Sequence, residues 1–146
     1  MRVILQRVTN SSVSVEQQQL AKIDYGALLL VGFGANDTEA LLEKAANKIA
    51  NLRIFPDGNQ KFHYSLLDLK AAVLSVSQFT LYADTSKGRR PEFFQALAPD
   101  LAQVYFDKFN QCLVQAGIAN VQRGEFGAYM QVALINDGPV TIILEF

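Results

Sequence analysis

The chain has 146 residues, a usual length for one domain and enough to enclose a proper core. Half of the residues are hydrophobic and 18% are charged, which excludes a disordered chain. With a formal net charge of −1 there is no global basic field, so binding along extended nucleic-acid phosphate is disfavoured and only a local patch could hold one end of an RNA.

In chain order, Arg2 to Val8 reads as a strand, and Ser12-Val13-Ser14-Val15 alternates polar and apolar as a half-exposed strand does. The start lacks the long apolar core and cleavage site of a signal peptide, and no apolar run approaches the ~20 residues of a membrane span. No membrane is expected as a partner, and a cytoplasmic location is the simplest. Glu16-Gln17-Gln18-Gln19 is a polar turn leading to Leu20-Ala21-Lys22-Ile23, so a hairpin is predicted. After Gly26, Ala27 to Phe33 reads as a central strand buried on both faces. Asp37 is placed to cap a helix from Thr38 to about Asn51, with Glu39 near its positive end. Leu42, Ala45, Ile49 and Leu52 form its apolar stripe.

Leu52-Arg53-Ile54-Phe55 reads as a strand stopped by the turn Pro56-Asp57-Gly58-Asn59. Ala71 to Tyr82 reads as a further strand whose second half sets Ser77, Gln78 and Thr80 among Val76, Phe79 and Leu81. A buried polar side chain without a partner costs ~1–3 kcal/mol. These three either bond to neighbouring backbone, as most buried side-chain polar groups do, or line a pocket at the strand end. The loop Ala83 to Pro91 carries Lys87, Gly88, Arg89 and Arg90 and is either a solvated connector or a functional loop. A short helix is predicted after Pro91. A longer one is predicted from Pro99 to Gly117, with Leu101, Tyr105, Phe109, Cys112, Leu113 and Ala116 on one face covering a sheet.

Cys112 is the only cysteine and His63 the only histidine. Cys112 falls at an apolar helical position, where a structural thiol is the simpler reading. A multi-cysteine or His-rich metal site is excluded. After Asn120 come a short strand, Gly124 to Ala128, the strand Met130 to Ile135, a turn, and the strand Val140 to Phe146. Asn136-Asp137-Gly138-Pro139 between two apolar runs reads as an ordinary hairpin turn. Pro139 after Asp-Gly also removes a donor and leaves carbonyls free to point outward. The whole, residues 1–146, reads as one mixed α/β domain. It has mainly antiparallel sheets in two barrel-like layers with helices packed on one side, a three-layer α/β/β arrangement.

Ser77-Gln78-Phe79-Thr80-Leu81 together with Asn136-Asp137-Gly138-Pro139-Val140-Thr141 resembles the paired signature of the D-aminoacyl-tRNA deacylases. The resemblance covers nearly the whole chain and includes Gln6-Arg7-Val8, Arg53-Ile54-Phe55, Gly88-Arg89-Arg90-Pro91, and Phe126-Gly127-Ala128 followed by Met130. It implies hydrolysis of the ester of D-aminoacyl-tRNA, and of glycine mischarged on tRNA, by a homodimer with active sites at the subunit interface. The implied partner is the aminoacyl-tRNA 3′ end, with no DNA expected and no metal or other cofactor.

The resemblance further implies that Gly138-Pro139 is cis and enters the partner's pocket to select chirality, with Arg7 holding that loop. Ser77, Gln78, Phe79 and Thr80 would form the catalytic floor. Phe126, Ala128 and Met130 would bind substrate, and Lys87, Arg89 and Arg90 would contact tRNA. The chain departs from the family's usual pattern at Phe62-His63, Glu92 and Tyr129, all outside the two motifs. Main-chain amides of Phe79 and Thr80 are the expected oxyanion donors. Thr80 as a covalent nucleophile is the weaker hypothesis, since no base other than His63 offers itself. Two other functions compete: an RNA-independent D-amino acid esterase, and a non-enzymatic nucleic-acid interaction module using the basic loop.

Overall fold

The computed structural model describes residues 1–146. Its spine is one long strand, β1 (Arg2–Val15). The first half of β1 lies between β3 (Gly26–Gly32) and β8 (Gln131–Glu145). Its second half lies between β2 (Gln18–Ile23) and the same β8, all antiparallel. The sheet continues from β3 through β6 (Ala72–Ser77) to β7 (Val121–Arg123) by parallel pairing. The architecture is the expected mixed α/β one, with a nearly closed barrel-like sheet and its helices on one side.

The two strands read at Arg2–Val8 and Ser12–Val15 are therefore one. Val8 pairs with Asn136 and Asn10 with Ile135, so Thr9 is an extra residue on β1. One extra residue reverses which side chains face inward. Before it, Val3 and Leu5 pack toward the helices; after it, Val13 packs into the barrel interior. β2 follows through the predicted hairpin, turning at Glu16 and Gln17, both at positive φ.

The larger core holds 23 buried residues and lies between sheet and helices. It takes Ala27, Leu29 and Val31 from one face of β3, while Leu28 on the other face joins the smaller barrel core. Both faces of β3 are thus covered, which is why it reads as an unbroken apolar run. Helix α1 (Glu39–Asn51) buries Leu42, Ala45 and Ile49 as its spacing predicts. Its N-cap is Thr38 rather than Asp37. Asp37 is engaged elsewhere, accepting from the Met1 amine at 2.5 Å and from the Gly34 amide at 2.7 Å.

Helix α3 (Pro99–Gln115) begins at the predicted proline and buries Tyr105, Phe109 and Leu113 of the predicted face, which is widened by Ala102 and Phe106 on one flank. Leu101, also placed on that face, is instead 43% exposed. A strand at Leu52–Phe55 shrinks to β4 (Phe55–Pro56), which pairs with β5 (Phe62–Tyr64), and α2 (Leu66–Leu69) follows. No helix forms directly after Pro91.

β8 differs most from expectation. Met130–Ile135 and Val140–Phe146 are not the two arms of a hairpin, since both pair with β1 as parts of one strand. Gln6 pairs with Thr141 and Val8 with Asn136, so two steps along β1 face five along β8. The surplus is a loop around Asp137, Gly138 and Pro139 that projects from an otherwise continuous strand. No helix of the structure is long and apolar enough to cross a membrane.

Candidate active site

The strands β3 and β6 run parallel with Val31 opposite Ser77, so their C-terminal ends open at one rim. Ligands in sheets with parallel strands favour such ends. Here a cleft of about 560 Å³ is lined by Val31, Gly32, Val76, Ser77, Gln78 and Phe79 from the strand ends. The start of α3 contributes Ala98, Pro99 and Ala102, and the segment before β8 contributes Phe126, Ala128, Tyr129 and Met130. Fourteen of the 19 lining residues are hydrophobic and none is charged. Side-chain polarity in the wall thus comes down to Ser77, Gln78 and the Tyr129 hydroxyl.

The expected strand through Tyr82 stops at Ser77. Gln78 sits at φ −146°, ψ 78°, and Phe79–Tyr82 forms a 3-10 turn with no buried residue. Phe79 is 57% exposed and Thr80 is exposed, so Phe79 floors an open cleft with Thr80 beside it instead of continuing the sheet. Phe79 and Thr80 open the turn, which leaves their amide N–H groups without an acceptor inside it. The bonds that fix the turn come from other amides. Gln78 donates to the Val31 carbonyl at 2.7 Å, Leu81 to the Gln78 carbonyl at 3.3 Å, and Ala83 to the Thr80 carbonyl at 3.0 Å. Gln78 Nε2 also donates to Thr80 Oγ1 at 2.5 Å. Ser75, two residues before Ser77, is the fully buried hydroxyl of β6.

Of the residues singled out in sequence, Ser77, Gln78, Phe79, Phe126, Ala128 and Met130 come together in this cleft. Thr80 adjoins it through Gln78. Arg7, Gly138 and Pro139 form a separate group outside its lining. Arg7 is buried. Its Nη1 donates to the Ile54 carbonyl at 2.6 Å, and its Nε contacts Asp137 at both Oδ2, 2.8 Å, and the carbonyl, 3.2 Å. Asn136 closes the loop from within, accepting from the Val140 amide and donating to Thr141 Oγ1, each at 2.9 Å.

Gly138 has φ +121°, and a Cβ there would stand 2.8 Å from Arg7 Nη2, so only glycine fits. The Gly138-Pro139 bond is cis, and both residues are exposed. Tyr25 packs against Phe55 close by, its phenol pushed up by burial while Arg7 opposes the rise.

Lys87, Arg89 and Arg90 lie at the exposed tip of a loop closed by Asp84 and Glu92, whose amides and carbonyls exchange bonds of 2.8 and 3.0 Å. The Ser86 amide donates to the Asp84 carboxylate and holds it below the usual carboxylate range. Directly after the loop, Phe93 lines the cleft and meets the Phe79 ring edge-on at 4.9 Å. Phe93 is a site residue that sequence reasoning missed; its adjacency to the basic loop was the available signal. His63 meets the Tyr64 ring edge-on in the β4–β5 hairpin, outside the cleft, and offers Thr80 no base within the chain. Cys112 is half-buried on α3, and burial pushes its thiol up, away from reactivity. No group of three or more His, Cys, Asp or Glu side chains is placed to hold a metal ion.

A profile described as D-Tyr-tRNA(Tyr) deacylase matches residues 4–145. A D-aminoacyl-tRNA deacylase of Limosilactobacillus reuteri (strain DSM 20016) is 51% identical over 145 residues, covering 99% of each chain. One from Exiguobacterium sp. (strain ATCC BAA-1283 / AT1b) is 50% identical over 145 residues, covering 99% of this chain and 98% of its own. The solved structure of a c-Myc DNA Unwinding Element Binding Protein has a TM-score of 0.94 at 40% identity, covering 100% of this chain and 99% of that one. A probable eukaryotic D-amino acid tRNA deacylase has a TM-score of 0.87 at 20% identity over 98% and 97% of the two chains, a likeness of fold alone.

Proposed function

We propose that this chain, which belongs to the D-Tyr-tRNA(Tyr) deacylase family, hydrolyses the ester of D-aminoacyl-tRNA to free D-amino acid and tRNA. The observation that carries the reading is a cleft with no charged wall, floored by a turn whose first amides have no acceptor within it. Such a site suits a substrate that is already reactive and needs holding, oxyanion stabilisation and water.

In this reading the amides of Phe79 and Thr80 donate to the ester carbonyl oxygen as negative charge builds on it. Ser77 and Gln78 orient the aminoacyl group, and Phe126, Ala128 and Met130 pack around it. Water adds to the carbonyl carbon with help from the neighbouring ribose hydroxyl. The ester C–O bond then breaks, and the ribose oxygen takes the proton. Lys87, Arg89 and Arg90 hold phosphates of the tRNA 3′ end, and the reaction belongs to the cytoplasm, where charged tRNA is used.

Chirality comes from a second copy. The loop at Gly138 and Pro139 projects from β8, which carries exposed Ile135 and Ile143 and pairs only with β1. Set into a partner's cleft, the loop's carbonyls occupy the space where an L side chain would extend, so L-esters are rejected by contact with the filter. Glycine has no side chain to exclude and is released as well.

The test compares D-tyrosyl-, L-tyrosyl- and glycyl-tRNA with a D-tyrosine alkyl ester and a tRNA ending in a 2′-deoxy ribose. Turnover of the first and third, with little of the others, is expected. Equal turnover of the alkyl ester would favour an RNA-independent esterase, and binding without turnover a nucleic-acid module. Full activity on the deoxy-terminated tRNA would remove the ribose hydroxyl from the mechanism. Sedimentation of the wild type and Ile143→Asp, with activity measured on both, tests the dimer.

A further inference from the structure

The turn Phe79–Tyr82 buries none of its residues, so the core does not fix its position. Besides the bond from the Gln78 amide to the Val31 carbonyl, what grips it lies mostly behind the cleft. Arg2, at the start of β1, donates from Nη1 to the Leu81 carbonyl at 2.9 Å. Its guanidinium carbon lies 4.7 Å from the centroid of the Tyr82 ring, and its Nε pairs with Glu145 of β8 at 2.9 Å. The Tyr82 ring in turn lies against main chain that carries no side chain. A Cβ on Gly34 would come within 2.8 Å of Cε1, Cζ and Oη of that ring. A Cβ on Gly32 would come within 2.8 Å of the Gln78 carbonyl oxygen and 3.4 Å of the ring. Two glycines at the end of β3 thus form a slot, the ring fills it, and Arg2 lies over the ring.

We propose that Arg2 and Tyr82 are positioning residues for the reaction, clamping the turn so that the Phe79 and Thr80 amides meet the ester carbonyl. This rests on the functional reading above. The stakes differ for stability and for rate. The Arg2–Glu145 pair is largely exposed, with side chains 38% and 65% accessible, and contributes little to folding. A misplacement of about 1 Å at reacting groups, by contrast, costs roughly a hundredfold in rate.

The experiment measures deacylation of D-tyrosyl-tRNA by the full chain and by Arg2→Met, Arg2→Lys and Gly34→Ala. Arg2→Met should lower kcat roughly tenfold to a hundredfold with KM changed by less than about twofold. Arg2→Lys should recover part of that loss, since an ammonium still donates to the Leu81 carbonyl. Gly34→Ala should displace the ring and lower kcat likewise; should it fail to fold, the Arg2 pair decides. A wild-type kcat in Arg2→Met, or a loss confined to KM or melting temperature, overturns the proposal. Amide chemical shifts in the substrate-free protein give a second readout. Those of Phe79 and Thr80 should move in Arg2→Met while those of β2 stay, and unmoved shifts overturn the clamp. If wild type leaves D-tyrosyl-tRNA intact, the functional reading fails and the amide shifts alone judge the clamp.

Discussion

Arg7 and Asp137 meet across the β1–β8 pair with Nε 2.8 Å from Oδ2, and the same nitrogen reaches the Asp137 carbonyl at 3.2 Å. One guanidinium therefore holds the base of the projecting loop by side chain and main chain together. Its other end is spent on the Ile54 carbonyl, at 2.6 Å. Arg7→Met leaves that carbonyl and the Asp137 carboxylate without partners. We expect a loss of about 2–4 kcal/mol, at the lower side of what breaking a buried pair costs, because Asp137 is 32% exposed. Chemical denaturation of the two proteins measures it.

Gly138→Ala tests the loop with both Arg7 and Asp137 retained. At φ +121°, with its new Cβ 2.8 Å from Arg7 Nη2, alanine must push the tip out of place. The expected stability cost is roughly 1–3 kcal/mol, and discrimination between D- and L-tyrosyl-tRNA should fall. Intact rejection of the L-ester in this variant would sink the steric account of chirality.

Thr80 accepts a hydrogen bond from Gln78, and no charged group lines the cleft to activate it. Thr80→Ala should therefore keep turnover within about threefold of wild type. Loss of a covalent nucleophile would cost several powers of ten. Single-turnover deacylation distinguishes the two.

The basic loop predicts a salt effect. Replacing Lys87, Arg89 and Arg90 by Gln should raise KM for charged tRNA and leave kcat alone. The salt dependence of KM should become shallower by roughly 0.7 logarithmic units per decade for each phosphate that is no longer neutralised. An unchanged salt slope would place the RNA elsewhere.

Ser65 and Asp68 cap α2 reciprocally, with the Ser65 amide and hydroxyl both donating to Asp68 Oδ2 at 2.8 Å. These bonds, the backbone one first, hold the Asp68 carboxyl below 3.8. A depressed folded-state pKa means that the contribution is present above 3.8 and is lost as pH falls from there through the folded value. Asp57 and Asp84 shift the same way through amides of Lys61 and Ser86. Asp68→Asn should melt lower at neutral pH and lose less on acidification, which thermal melts down to about pH 3 would reveal.

Local chemistry was readable where it repeats along the chain. The double burial of β3 and the stripe of α1 follow from residue type and spacing, whereas the grouping of Ser77 with Phe126 and Met130 came from the family resemblance alone. What escaped was pairing. Two apolar runs flanking a turn motif look the same whether they pair with each other or both pair with a third strand, and β8 does the latter. Phe79 and Leu81 kept the alternation of a strand, although the chain had already turned at Gln78. Arg2 and Tyr82 gave no signal, because their meeting depends on tertiary contacts that spacing does not record.

Both flanks of the Asn136–Val140 loop are stitched to the same neighbour, β1. Its tip is therefore an outgrowth, not a joint between elements. Displacement of that tip, as expected for Gly138→Ala, can leave the seams on either side closed. The position of the tip is thereby uncoupled from the closure of the barrel, which the paired stretches on either side secure by themselves.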